Sequence, residues 1–167
     1  MHTPRKRDVM DCAAMSSGYR GLAPYLYYAD ATAALAWLTR VFGFNEEVRF
    51  CDAAGEVFQA TLSAGGARIQ IAGVGPDYWQ AKGVDGPVGQ LNIVYVDDVD
   101  ETYARVEGAL GDECELEPPQ DQPYGARVFT VADLGGNSWT FWQQTSETVE
   151  LPPGWQAVRS GGESSNG

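Results

Sequence analysis

Histidine is almost missing from this chain of 167 residues, which has only His2, close to the amino terminus. An imidazole base or metal ligand is therefore not expected inside the folded body. The three cysteines (Cys12, Cys51 and Cys114) are scattered and lack the spacing of metal ligands. They predict reduced thiols, which are typical of the cytosol.

Long apolar runs and basic residues are also scarce. No stretch reaches the roughly 18 apolar residues of a membrane span, and Asp8 and Asp11 interrupt the apolar core that a signal peptide would need. Eleven Lys and Arg against twenty-three Asp and Glu give a net charge of −12. Binding to phosphate backbones needs a basic face, so a nucleic-acid partner is not expected. The sequence predicts a cytoplasmic protein with neither a nucleic-acid nor a membrane partner.

The composition is that of a folded protein, with 44% hydrophobic and 11% aromatic residues. We expect flexible tails at residues 1–20 and 146–167. Between them, we expect a domain made of a first module (21–73), a loop (74–88) and a second module (89–145). Pro, Gly and Ser in both tails and in the loop support these boundaries.

Hydrophobic periodicity predicts eight strands and two helices within the domain. The strands are expected at 22–28, 48–52, 56–62, 67–73, 91–96, 113–117, 126–132 and 137–143. One helix begins after Asp30 and ends at Gly43, and the other begins after Asp97 or Asp98 and ends at Gly111.

The order strand, helix, three strands occurs twice. An offset of 68 residues superposes the two strand–helix units, and an offset of 70 superposes the closing hairpins. The equivalent pairs include Tyr27 and Tyr95, Asp30 and Asp98, Gly43 and Gly111, Gly65-Gly66 and Gly135-Gly136, and Ile69 and Trp139. This repeat predicts an α+β fold of two βαβββ modules related by pseudo-twofold symmetry, with mixed sheets that enclose a groove.

Three segments resemble the vicinal oxygen chelate superfamily, the glyoxalase/bleomycin-resistance/dioxygenase group. They are ADATAALAWLTRVFGF, VDDVDETYARV and YGARVFTVADLGGNSWTFWQ. The last is similar to the closing hairpin of that superfamily, although Leu134 stands where its turn usually has proline. The resemblance covers about residues 21–144. It implies the fold, but it does not choose among isomerases, dioxygenases, lyases, thiol transferases and drug-sequestering proteins.

The resemblance also implies where a catalytic metal would bind, because enzymes of this superfamily hold one with residues from four strands. The corresponding positions here are Ala23, Gln70, Leu91 and Thr140. Alanine and leucine offer no donor atom, and two neutral oxygens bind divalent ions weakly. We therefore expect a metal-free member without a cofactor.

Strand alternation predicts an aromatic groove. The ligand-binding candidates are Tyr25, Tyr27, Arg68, Gln70, Tyr78, Trp79, Tyr95, Tyr124, Thr140 and Trp142. The opposite face is expected to seat the helices on Leu26, Tyr28, Ile69, Ile71, Val94, Val96, Trp139 and Phe141. The groove aromatics either stack on a flat ligand or simply fill the space between two sheets.

Three details of this groove have alternatives. The loop that carries Tyr78 and Trp79 is either a lid or a surface segment docked by its two aromatics. Arg68 either meets a ligand carboxylate or carbonyl, or pairs with a nearby glutamate. Arg127 is expected near the groove as the second basic residue, and Asn92 does not fit the apolar face that alternation gives it.

The resulting hypothesis is metal-independent binding and sequestration of a planar aromatic, cationic small molecule, such as an antibiotic or another natural product. The acidic residues between 97 and 117 form a solvated face that would attract cations. The alternative is a metal-free isomerase, lyase or cyclase, which would need a carboxylate such as Glu47, Glu56 or Asp133 in the groove. A metal-dependent glyoxalase- or dioxygenase-like enzyme is disfavoured by the ligand positions. The resemblance also implies a homodimer.

Overall fold

The computed structural model describes residues 18–158. The predictions for His2, Cys12 and residues 1–17 and 159–167 of the two tails lie outside these residues. Eight strands form two four-stranded sheets with the orders β1-β4-β3-β2 and β5-β8-β7-β6. The strands are β1 Tyr25–Tyr28, β2 Asn45–Cys51, β3 Val57–Ala64, β4 Ala67–Gly73, β5 Leu91–Tyr95, β6 Gln120–Gln122, β7 Ala126–Ala132 and β8 Ser138–Gln144. In each sheet only the β1–β4 or β5–β8 pair is parallel, so both sheets are mixed.

The helices begin and end where the capping residues predict. Helix α1 (Ala31–Trp37) starts at Asp30, whose carboxylate accepts a hydrogen bond from the Ala33 amide at 2.9 Å. It continues as a π-helical segment, Leu38–Phe42, which ends at Gly43 with φ 70°. Helix α3 (Val99–Leu110) starts at Asp98, whose carboxylate accepts from the Glu101 amide at 2.9 Å. No helix in the described part of the chain is long and apolar enough to cross a bilayer.

Four expectations about the elements are wrong. The second strand begins at Asn45 rather than at residue 48. The strand predicted at 113–117 lies instead at Gln120–Gln122, because the acidic run before it remains irregular. The first strand begins at Tyr25 rather than at residue 22. The loop after β4 contains a short helix, α2 (Pro76–Gln80), which places a proline in its first turn.

The core lies between the helices and one face of each sheet. Leu26 and Tyr28 of β1, and Trp139 and Phe141 of β8, are buried as predicted, and so are Ile69 and Ile71. Val94 and Val96 are partly buried against the same core. We call the other face of each sheet, turned away from the helices, its open face.

One junction between the modules is a buried polar network. The Tyr28 hydroxyl donates to Asp133 at 2.6 Å, and the Trp139 indole nitrogen donates to the same carboxylate at 2.8 Å. The Asn137 amide also donates to Asp133, at 3.1 Å, and to the Tyr28 hydroxyl, at 3.3 Å. Burial and the neighbouring Asp133 charge raise the pKa of Tyr28, so its hydroxyl stays protonated and remains a donor.

Gly135 belongs to this junction for a steric reason. A Cβ atom there would come within 2.8 Å of the Tyr28 ring. The turn after β7 can therefore approach β1 closely only without a side chain at this position.

Candidate functional site

The first aromatic cluster lies on the open face of the first sheet and consists of Tyr25, Tyr27, Tyr78 and Trp79. The Tyr27 ring lies 5.2 Å from Tyr25 and 4.7 Å from Tyr78, centroid to centroid. Tyr78 and Trp79 meet edge to face at 4.9 Å. Helix α2 is thus docked onto β1 by its two aromatics, and Lys82 lies over the outer face of this cluster, 5.1 Å from the Tyr78 centroid.

The second aromatic cluster lies on the second sheet and consists of Tyr95, Tyr124 and Trp142. Tyr124 stacks on Trp142 with centroids 4.9 Å apart and planes inclined by 23°. Tyr95 meets the edge of Trp142 at 6.2 Å. The indole nitrogen of Trp142 donates to Gln144 at 3.0 Å, which fixes the plane of the ring.

Strand register places the clusters in rows that cross each sheet. In the first sheet the rows are Tyr25–Gln70–Thr61–Val48 and Tyr27–Ala72–Gln59–Phe50. In the second sheet they are Ile93–Thr140–Thr130 and Tyr95–Trp142–Val128–Gln120. Each open face is therefore mainly apolar, with a short polar centre: Thr61 donates to Gln70 at 2.9 Å, and Thr130 bonds Thr140 at 2.8 Å.

Part of this surface was missed by the sequence analysis. Phe50 and Phe58 extend the first open face, with rings 6.2 Å apart and exposures of 48% and 54%. Val48 is also exposed in the same region. The signal is the alternation of Val48 and Phe50 along β2, which places both side chains on one face of the strand.

One chain does not bring the two clusters together. Their rings make no contact with one another among residues 18–158. Tyr95 is 75% exposed and Leu91 is 63% exposed on the second sheet. Within one chain the two sheets therefore do not close around a groove, because the modules pack through their helix sides and leave most of each open face exposed. The sequence itself left open whether a groove forms within one chain or between two.

The two candidate arginines differ. Arg68 pairs with Glu47 at 2.9 Å, which is one of its two predicted roles. Arg127 is not near the groove, because it shares a β7 face with Phe129 and Val131 and pairs with Asp100 at 3.0 Å. Side chains alternate between the two faces of a strand, so Arg127 lies on the helix side of the sheet, as Phe129 and Val131 do.

The residues at the superfamily's metal positions do not fit a metal ion. Ala23 and Leu91 carry no donor atom, and the Gln70 carboxamide oxygen already accepts from Thr61. The Thr140 hydroxyl is engaged with Thr130. No group of three His, Cys, Asp or Glu residues suited to a metal lies within 18–158. The metal-free character of the site remains a prediction that follows from this donor set.

The carboxylates that the enzyme alternative would need are engaged in other contacts. Glu47 pairs with Arg68, and Glu56 accepts from the Thr32 hydroxyl at 3.0 Å. Asp133 lies in the buried junction network. A hydrogen bond with Tyr78 raises the pKa of Tyr27, so this phenol is protonated at neutral pH and is a poor base. The open faces are better equipped for stacking than for proton transfer.

Comparison with known proteins agrees with this architecture. Residues 21–141 match the model of the Glyoxalase/Bleomycin resistance protein/Dioxygenase superfamily. The chain belongs to this superfamily. The family assignment that the resemblance suggested is confirmed, as is the α+β class with two four-stranded mixed sheets. No curated protein matches the chain.

Several solved structures of the superfamily are similar to it. TioX from Micromonospora sp. ML1 is 34% identical with a TM-score of 0.61, covering 75% of this chain and 99% of that one. The bleomycin-binding protein of bleomycin-producing Streptomyces verticillus, solved with copper(II)-bleomycin, is 21% identical with a TM-score of 0.54, covering 75% and 97%. Lactoylglutathione lyase from Agrobacterium tumefaciens is 23% identical with a TM-score of 0.56, covering 77% and 97%. The latter two show the fold alone.

Proposed function

We propose that this chain binds and sequesters a planar aromatic, cationic small molecule, such as an antibiotic or another natural product, without a metal ion. The observation that carries the proposal is the pair of aromatic clusters on the two open faces, in which Tyr25, Tyr95 and Tyr124 are exposed. Large aromatic side chains are normally buried, and contiguous exposed apolar surface marks binding sites. Here the helix sides of the two sheets form the core, while Tyr25, Leu91 and Tyr95 on the open faces stay exposed.

A homodimer would enclose two equivalent grooves between the open faces of its two copies. The first open face of one copy would cover the second open face of its partner, and the same contact would occur twice around a twofold axis. Each groove would then have Tyr25, Tyr27 and Tyr78 on one wall and Tyr95 and Trp142 on the other. Phe50 and Leu91 are 48% and 63% exposed in the single chain, and such a dimer would cover both.

The chemistry of the walls supports a flat cationic ligand. Tyrosine and tryptophan rings stack on flat ligands and lose little conformational freedom when they do so. The net charge of −12 raises the local concentration of a cation. The indole nitrogen of Trp79 is buried and has no hydrogen-bond partner among residues 18–158, which supports a ligand that carries an acceptor.

The superfamily provides a precedent for such binding. The Streptomyces verticillus protein is a bleomycin-binding protein, and its structure contains copper(II)-bleomycin. That likeness shows only the fold, so the class of ligand follows from the aromatic residues and the charge of this chain.

Trp142→Ala is expected to weaken the binding of ethidium, a flat aromatic cation, by about 1–3 kcal/mol, because the variant loses both stacking and buried area. Quenching of tryptophan fluorescence, confirmed by calorimetry, measures the dissociation constant. Trp155→Ala is the matched control, since Trp155 is 70% exposed outside both clusters. Equal affinity of the folded Trp142→Ala variant and the wild type would remove Trp142 from the site.

Removal of divalent metal is expected to leave ethidium binding unchanged, because the four family positions offer no competent donor set. Elemental analysis measures the metal content of the purified protein before and after EDTA treatment. An ethidium titration of each sample measures the affinity. One tightly held divalent ion per chain would contradict the proposal, and so would a loss of ethidium affinity that added metal restores.

A further inference from the structure

The pseudo-twofold symmetry relates two junctions between the modules, and only one of them is filled. At the filled junction, Tyr28, Asp133, Asn137 and Trp139 form the buried network described above. The offsets of 68 and 70 residues give the equivalent positions at the other junction as Val96, Ser63, Ala67 and Ile69. Every one of these side chains is smaller than its counterpart.

A cavity of about 660 Å³ lies at this second junction. It is lined by the turn from Ser63 to Ile69, by β5, and by the segment from Phe42 to Asn45. Trp139 and Phe141 close its base. The volume is within the range of about 300–1,000 Å³ that small-molecule sites occupy. The positions equivalent to the polar network hold valine, serine, alanine and isoleucine, which leave this junction unfilled.

The charge of the lining is opposite to that of the protein. Arg68 and Arg105 both line the cavity, and none of its lining residues is aspartate or glutamate. Arg68 is engaged with Glu47, whereas Arg105 donates one hydrogen bond to the Phe42 carbonyl at 3.0 Å. The guanidinium carries five N–H donors, so Arg105 retains others for a ligand.

Asn92 provides a specific polar group in the same lining. Gln90 donates to the Asn92 side-chain oxygen at 2.7 Å, which fixes the orientation of the amide. The Asn92 amide nitrogen is shielded from solvent and has no partner among residues 18–158. Buried amide groups are nearly always paired, so an unpaired one in a cavity wall indicates an absent acceptor. This also accounts for the polar residue that interrupts the apolar face of β5.

We propose that the cavity is a second binding site, for a small organic anion with an apolar or aromatic body. Its carboxylate accepts from the Asn92 amide and faces Arg105, and its body contacts Phe42, Phe44 and Trp139. The site selects the opposite charge to that of the aromatic groove, and it borders that groove along β5, where Leu91, Ile93 and Tyr95 also line the cavity. Hydrogen bonds to a charged acceptor are stronger than those between neutral groups, which favours a carboxylate over a carbonyl.

Calorimetric titration of the full chain with 2-naphthoate tests the proposal, with 2-naphthylmethanol as the neutral probe of similar shape. We expect one saturable naphthoate site per chain. The alcohol should bind at least about tenfold more weakly than naphthoate. Asn92→Leu should weaken naphthoate binding about tenfold or more. Gly66→Leu should weaken it about tenfold or more, because Gly66 lines the cavity and has open space around its Cβ position, where a leucine side chain would compete with the ligand.

Gly108→Leu is the matched control, since Gly108 also has open space around its Cβ position but lies on the exposed side of α3, away from the cavity. It should bind naphthoate like the wild type. Circular dichroism establishes that each variant is folded. If Gly66→Leu does not fold, the naphthoate affinity of Asn92→Leu tests the proposal by itself. Absence of saturable naphthoate binding to the wild type would overturn the proposal, as would equal binding by folded Gly66→Leu or Asn92→Leu. Equal affinity for naphthoate and the alcohol would overturn the selection of an anion.

Discussion

Replacing Asp133 with alanine is expected to lower the free energy of unfolding by about 3–5 kcal/mol, because several buried donors lose their acceptor at once. The Asp133 carboxylate accepts from the Tyr28 hydroxyl at 2.6 Å and from the Trp139 indole at 2.8 Å. It also accepts from the backbone amides of Gly135 and Asn137, at 2.8 and 3.0 Å. The substitution therefore loosens both the turn after β7 and the contact between the modules.

Chemical denaturation followed by tryptophan fluorescence measures this loss. The matched control is Asp121→Ala, which removes an aspartate whose side chain is 78% exposed and which pairs with Arg127. Exposed ion pairs contribute little, so this variant should stay within about 1 kcal/mol of the wild type. If Asp133→Ala were as stable as Asp121→Ala, the network would not be what holds the two modules together.

The same network explains how the closing hairpin works without the proline that usually precedes its glycine. Leu134 occupies that position and is exposed, so it contributes little to the turn. The turn is instead held by Asp133, which accepts from two backbone amides, and by Gly135, which allows the Tyr28 ring to approach. The departure from the usual motif thus leaves the fold intact.

Features set by local periodicity could be predicted from the sequence. Strands β4 and β7 have the predicted bounds, and both helix caps are the predicted aspartates. Alternation along β1, β4 and β8 also gave the buried face correctly, since a one-residue error would have exposed Trp139 and Phe141 together.

Features that depend on tertiary or quaternary packing could not be predicted in this way. Nothing in the repeat states whether its two sheets face each other within one chain, and the structure leaves them apart. Arg127 pairs with Asp100 of α3, a contact between residues distant in sequence that leaves no local pattern. The cavity was also invisible, because it arises from a difference between two equivalent junctions and not from either segment alone.

Ile93→Asp is expected to convert the proposed homodimer into a monomer and to abolish the binding of ethidium. Ile93 is 45% exposed at the centre of the second open face, between Leu91 and Tyr95. The dimer would bury an unpaired carboxylate in each of its two grooves, at a cost of about 3–5 kcal/mol for each copy.

Ala104→Asp adds the same charge on the exposed side of α3 and should remain dimeric. Light scattering and sedimentation report the mass, and ethidium titration reports the groove. A monomeric wild type, or a dimeric Ile93→Asp variant, would contradict an interface built from the open faces. A monomer that still binds ethidium would place the ligand on a single sheet.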